Sequence, residues 1–340
     1  MAPLPKREGL GVGILGAYLI RRLGQAVPLL IGISLLVFLL VNAVPGNPVQ
    51  GYIDNPGTSP ADIAQIKHSL GLDQPVAVRY FVWLKNVLHG DFGRSLTTHR
   101  DVRGEILSKI PNTLKLTVAA FALSLLFAIP VGVYSALRRN TWFDHVATVT
   151  SVAGVSIPRF WFGLILILIF AVQLGWLPST GRGQTAELFG IQWSFLTRDG
   201  LAHMIMPALN LSLGNIALVL RLTRAGVREN LPMDYVKFAR AKGLSPTRVV
   251  FVHVLKNITI PIVTVIGLEF GSTVAFAVVT ESVFAWPGMG KLIIDSINVL
   301  DRPVIVAYLM MIVFLFISIN LLVDLLYTVL DPRVRLESRE

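Results

Sequence analysis

Six apolar runs limit what this chain can become. They lie at about Gly24–Val44, Leu114–Leu137, Phe143–Leu174, Met204–Leu220, Ile258–Thr280 and Val304–Leu330. A helix crosses about 30 Å of hydrocarbon with roughly 17–25 apolar residues, and each run is long enough. The third and sixth exceed one straight span: Pro158 breaks the third, and tilt or a cytoplasmic extension absorbs the excess of the sixth. Only 15% of the 340 residues are charged, against about 25% in soluble domains. Residues 1–340 therefore read as one membrane domain. The expected fold is all-α, a polytopic bundle of six transmembrane helices with a small helical extracytoplasmic insert.

The net charge of +10 points to orientation in a lipid bilayer, not to nucleic acid, because the excess flanks the spans. With the N-terminus in the cytoplasm, seventeen Lys and Arg fall inside and four in the two short outer loops. An even number of spans then leaves both termini cytoplasmic. The long segment 45–112 carries seven more, but long translocated segments obey the rule poorly. Trp142, Trp176 and Trp286 fall at span ends, where interfacial aromatics are expected. The start reads as retained, not as a cleaved leader, since Arg21 and Arg22 follow a short apolar run without a small-residue cleavage site. Gly9–Ile20 is expected to be an interfacial helix. Zero cysteines exclude disulfides and thiolate metal sites.

Within the insert, Pro60 opens a helix through Leu70, and Pro75 opens another that places Val76, Tyr80, Phe81, Leu84, Val87 and Leu88 largely on one face. Asp101 caps a third, expected to stop at Ile110 before Pro111. The apolar second half holds one polar island, Leu231 to Pro261. A helix from Pro232 to Lys242 is expected to end at Gly243, whose conformational freedom suits a helix C-terminus. Ser245 then caps a second helix with Pro246 at its first position. Arg221, Arg224, Arg228, Lys237, Arg240, Lys242, Arg248 and Lys256 lie in or beside this elbow, opposed by Glu229 and Asp234.

Catalytic signatures are missing from the sequence. Gly288-Met289-Gly290-Lys291-Leu292 imitates the tail of a phosphate-binding loop, yet Ala285 stands where its first Gly belongs and Leu292 where a magnesium-holding hydroxyl belongs. The six histidines form no HExxH, and no GxSxG occurs. Uphill movement of a solute would draw its energy from another chain or from an ion gradient. No internal repeat of the inverted-repeat transporter kind is visible.

The elbow sequence DYVKFARAKGL resembles the EAA loop of ABC importer permeases, in the form found in the dipeptide and oligopeptide permease family. Pro45-Gly46-Asn47-Pro48, Gly71-Leu72-Asp73-Gln74-Pro75, Gly90-Asp91-Phe92-Gly93-Arg94-Ser95, Trp286-Pro287-Gly288-Met289-Gly290 and Asp331-Pro332-Arg333-Val334-Arg335 are similar to that family's landmarks, in the same order. The resemblance covers about residues 18–335. It implies the ABC importer type I permease fold in a bacterial inner membrane. It also implies a second, homologous permease subunit, two cytoplasmic ATPase subunits or one fused pair, and an extracytoplasmic solute-binding protein. This chain would bind no cofactor, with ATP and Mg on the partner subunits. Residues 231–257 would form the coupling elbow, with Ala239, Arg240, Ala241, Lys242 and Gly243 as its contact surface and Tyr235 and Phe238 packing it. The general pattern begins with Glu, whose place falls on Lys237, so no salt bridge from a leading Glu is expected. The Gly243-to-Pro261 spacing suits the peptide branch.

Ionisable residues inside spans are costly and usually face a partner or a watery path. Arg159 and Glu269 each lie about halfway across and are expected to approach one another near the pathway, either as a structural pair or in contact with substrate. Asn210 and Asn215 are further pathway groups, and Glu281 belongs to the outer mouth. Asp324 is expected to hydrogen-bond within the bundle. Alternative cargoes for the same machinery are nickel, glutathione and oligosaccharides; the alternative from another class is an ion-coupled secondary transporter.

Overall fold

The computed structural model describes residues 8–43 and 73–330. The expected helix from Pro60 to Leu70, the Pro45–Pro48 landmark, the C-terminal arginines and the side chain of Asp324 lie outside the described residues. The helices are α1 (Glu8–Ala43), α2 (Val76–Leu88), α3 (Val102–Leu137), α4 (Trp142–Ser156) and α5 (Arg159–Leu166), the last continuing as a π-helical turn, Ile167–Gln173. After a two-stranded hairpin come α6 (Arg198–Asn230), α7 (Asp234–Ala241), α8 (Pro246–Ala275), α9 (Val278–Val283), α10 (Met289–Asn298) and α11 (Arg302–Leu330). Among the described residues, α3, α6, α8 and the Arg302–Val323 part of α11 are long and apolar enough to cross a membrane. The α4–α5 pair makes a fifth if it is one broken span, and the first expected run is a shorter apolar stretch, Gly24–Leu40, within α1.

The chain divides into two compact units. In the first, residues 1–105 and 296–321, α2 packs on α1 through the Ser34 and Tyr80 hydroxyls at 2.8 Å, with Phe38 against the rings of Tyr80 and Trp83. Tyr80, Trp83, Leu84 and Val87 face inward, whereas Val76, Phe81 and Leu88 are exposed, so the apolar face is narrower than expected. Asp301 accepts hydrogen bonds from the Ser95 hydroxyl at 2.5 Å and from the Leu96 and Thr97 amides, which fixes the loop before α3.

The second unit, residues 106–295 and 322–340, is built on α6. Thr197 caps α6 by accepting from the Gly200 amide, and Thr141 caps α4 from the Asp144 amide. The break between α4 and α5 turns the chain by 110°. Its cause is local: proline disfavours helical geometry in the preceding residue, and Ile157 is extended at ψ 126°. Asp144 is buried and takes both arms of Arg224, at 2.6 and 2.8 Å, with Ser135 as a further donor at 2.5 Å. Arg224 is thus committed to α4 and leaves the basic surface assigned to the elbow.

Several expectations need correction. The interfacial helix and the first span are one helix, α1, with Pro28 inside it. Helix α3 runs through Pro111 and Pro130 without stopping, as membrane helices can when neighbouring groups satisfy the freed carbonyls. Trp286 is buried, its Nε1 donating to the Asn112 carbonyl at 3.1 Å, while Trp142 and Trp176 are exposed. The short hairpin Ala186–Leu188/Ile191–Trp193 interrupts the otherwise helical fold; Phe189 and Gly190 make its turn, both at positive φ.

Asp144 is buried but Arg224 is 24% exposed, so losing the acid leaves the guanidinium partly hydrated and without two charge-assisted hydrogen bonds, at a cost of about 1–3 kcal/mol. Asp144→Asn should therefore lower the thermal unfolding midpoint of the detergent-purified protein. The double change Asp144→Leu with Arg224→Met should lose less. An unchanged midpoint in the single variant would contradict this role.

Candidate functional site

Two regions hold the residues singled out by sequence. The first is the elbow. Helix α7 begins at Asp234, with Met233 before it, so Pro232 lies outside the helix. The helix ends at Ala241, and Gly243 follows at φ +77°, where a side chain would be strained. Ser245 caps the next helix, accepting from the Arg248 amide at 3.4 Å, with Pro246 at its first position. That second limb does not stop. It passes through a π-helical turn, Val249–Val254, straight into the span of α8.

The phase of α7 sorts its side chains. Val236 and Ala239, three apart, are buried in a cluster with Val227, Val249, Val250, Val254 and Ile258. Tyr235 is half-buried and donates its hydroxyl to Asn230 Oδ1 at 2.6 Å. Lys237, Phe238, Arg240, Ala241, Lys242 and Gly243 are exposed. Two assignments change accordingly: Ala239 anchors the elbow instead of presenting its surface, and Phe238 points outward, 63% exposed, under the Lys242 ammonium at 4.6 Å. The i, i+3 spacing of Val236 and Ala239 carried that signal. Lys237 pairs with Asp234 at 2.9 Å across solvent, a contact worth little energetically.

The second region lies within the spans. Arg159, Asn215 and Glu269 line one cavity of about 250 Å³, together with Arg221, Gly154, Val155, Ile157, Gly214 and Leu218. Three of the five expected pathway residues therefore meet. Arg159 and Glu269 share this cavity without a direct ion pair. Glu269 is held by the Ser272 hydroxyl at 3.1 Å. Asn215 also reaches Thr273 of α8, at 3.4 Å. Arg221 was grouped with the elbow in the sequence; one helix face, Gly214, Asn215, Leu218 and Arg221, carries it into the cavity instead.

Asn210 and Glu281 lie elsewhere. Asn210 donates to the Thr280 hydroxyl at 2.9 Å, joining α6 to α9. Glu281, expected at an outer mouth, has no exposed surface. Its carboxylate accepts from the Thr113 hydroxyl (2.6 Å) and from the amides of Gly290 (2.6 Å) and Lys291 (3.3 Å), while the Met289 amide donates to Thr113 Oγ1. A Cβ at Gly288 would overlap this carboxylate, and one at Gly290 would overlap the Val278 backbone. The Trp-Pro-Gly-Met-Gly landmark is thus the receptor for a buried acid. Burial pushes the Glu281 carboxyl up to about 7, against the pull of its three donors.

The family described as binding-protein-dependent transport system inner membrane component matches residues 128–336. Its N-terminal counterpart matches residues 15–117. The di/tripeptide transport system permease protein DppB of Pseudomonas aeruginosa is 42% identical over 333 residues, 94% of this chain and 98% of that protein. The oligopeptide transport system permease protein AppB of Bacillus subtilis is 40% identical over 321 residues, 94% of this chain and 99% of that one. Among solved structures, a chain of the MetNI methionine ABC transporter in an inward-facing conformation shares the fold. It matches at a TM-score of 0.54 and 18% identity, covering 66% of this chain and 96% of its own.

A carboxyl raised from 4.5 to about 7 on folding binds its proton more tightly in the folded state. Its contribution is complete below about pH 4.5 and is lost as pH rises through 7, a change of about 3 kcal/mol. Thermal stability of the wild type should fall across that window more than that of Glu281→Gln. Parallel curves for the two proteins would refute the assignment.

Proposed function

The chain belongs to the inner-membrane components of binding-protein-dependent transport systems, and we propose that it is the permease subunit of an ATP-driven importer of di- and oligopeptides. The peptide assignment follows the names of the two relatives, each matched over nearly its whole length. The chain pairs with a second, similar permease to enclose the pathway. Two ATPase subunits, or one fused pair, bind ATP and Mg on the cytoplasmic side, and a solute-binding protein delivers peptide from outside. This chain performs no hydrolysis. Both of its termini and residues 231–257 face the cytoplasm, in keeping with the excess of Lys and Arg there.

The observation that carries this reading is the construction of the elbow. Val236 and Ala239 fix α7 to the ends of α6 and α8, while Arg240, Ala241, Lys242 and Gly243 are presented outward. Because the second limb is the head of α8 itself, force on the corner passes into a span without an intervening hinge. Phe238 and Ala241 share the outer face and give a partner both an apolar foothold and room for close approach. Arg159, Asn215 and Glu269 line the pathway, and Asn210 and Glu281 tie together the helices around it. The second-class alternative, ion-coupled transport, would leave this outward face without a partner.

Ala241→Trp should leave membrane insertion intact while abolishing ATP-dependent peptide uptake by the complete assembly. Gly243→Pro should do the same, since proline cannot adopt the positive φ required there. Normal uptake by either variant would refute the docking role.

A further inference from the structure

The cavity beside the α4–α5 break is half-open, with Arg159 and Glu269 half-buried and Arg221 exposed. Its walls carry two guanidinium groups, Arg159 and Arg221, and one carboxylate, Glu269. Gly214, Asn215, Leu218 and Arg221 stand at i, i+1, i+4 and i+7 on α6, so one helix face supplies a wall about 10 Å long. Arg159 is the first residue of α5 and projects from the break across that face. A Cβ on Gly214 would stand 3.5 Å from its Nη2, at ordinary contact distance, so the guanidinium lies against α6. Arg221 donates its Nε to the Ala217 carbonyl of its own helix, at 3.3 Å, and lines the cavity. Glu269 takes its hydrogen bond from Ser272, and neither arginine forms an ion pair with it.

Arg221 is exposed, so water meets the excess cation and an anion can take the place of that water. The N-terminal end of a half-helix adds positive potential on the same side, an arrangement suited to an anionic group of a passing solute. The volume is below the roughly 300–1,000 Å³ of sites that enclose whole drug-sized ligands, so it suits the end of a solute better than its entirety.

We propose that this cavity is an anion subsite in which Arg159 and Arg221 take the free C-terminal carboxylate of the transported peptide, while Glu269 weakens their hold enough for release. The proposal rests on the peptide-permease reading above. It gives the third charge a purpose: a conducting path needs sites favourable enough to enter and weak enough to leave, and two unopposed guanidinium groups would retain a carboxylate.

The test uses the complete permease–ATPase assembly in lipid nanodiscs, with the solute-binding protein omitted so that its own selectivity does not enter. Thermal midpoints are followed against trialanine, trialanine amide, inorganic phosphate and added anionic phospholipid. Trialanine should raise the midpoint at a concentration at least tenfold below that needed for the amide. Arg159→Gln and Arg221→Gln should each shift the trialanine response at least tenfold toward higher concentration, Arg159→Lys should restore part of it, and Glu269→Gln should move it the other way. The proposal is overturned if acid and amide act alike, if the glutamine variants respond as wild type, or if phosphate or anionic lipid reproduces the shift and cancels that of trialanine. Co-purification of the ATPases confirms assembly of each variant, and the near-isosteric Glu269→Gln carries the test if an arginine variant does not assemble. ATP-dependent uptake by the wild-type assembly is measured in parallel in proteoliposomes supplied with the solute-binding protein: normal uptake without a carboxylate preference sinks the subsite alone, whereas absent uptake sinks the permease reading.

Discussion

Hydrocarbon offers no partner to a bare peptide group or an isolated charge, so departures from regular helix and uncompensated ions at membrane depth must be covered by protein or face water. In the second unit these departures gather around α6. The α4–α5 break leaves Ile157 and Pro158 outside helical geometry, and the same turn delivers Arg159 to the wall formed by α6 and α8. Asp144, a buried acid at the start of α4, is met by both arms of Arg224 and by Ser135. Helix α6 thus carries two arginines one turn apart with opposite assignments: Arg224 is consumed in holding α4, and Arg221 faces the cavity.

The same constraint accounts for the elbow. A corner that transmits movement must be stiff on its inner side and available on its outer one. Val236 and Ala239 supply stiffness by packing among the valines at the head of α8. Gly243 turns the chain at a backbone angle that other residues resist. The continuation of the second limb into α8 connects this surface mechanically with Glu269, which lies on α8 and lines the cavity. On the proposed reading, one helix joins the place where force arrives to the place where solute passes.

Much of this was legible in the amino-acid order because it is local. Apolar length marks the spans, the pre-proline rule places the break at Ile157, and Ser245-Pro246 announces the start of α8. What escaped was what depends on distant partners. Arg224 looks like one more basic residue until Asp144, 80 positions away, is folded against it. Trp286 resembles an interfacial aromatic until α3 covers it. Pro111 reads as a helix stop, yet tertiary packing overrides the local penalty and α3 continues. Ala239 was assigned by resemblance to the outer surface of the elbow, although its spacing from Val236 already placed it inside. The cavity required both kinds of information: sequence supplied Arg159, Asn215 and Glu269, and only the fold added Arg221 and showed that Asn210 and Glu281 serve other contacts.

The chain contains no cysteine, so an introduced cysteine is the single thiol that this chain carries. With Ala241→Cys in the complete assembly, a membrane-impermeant thiol reagent should label only inverted vesicles, and a short bifunctional crosslinker should join this position to a nucleotide-hydrolysing subunit. Labelling from the outer face, or a crosslink yield no greater than that of a cysteine placed on an exposed outer loop, would contradict the elbow as the handle through which ATP hydrolysis moves this permease.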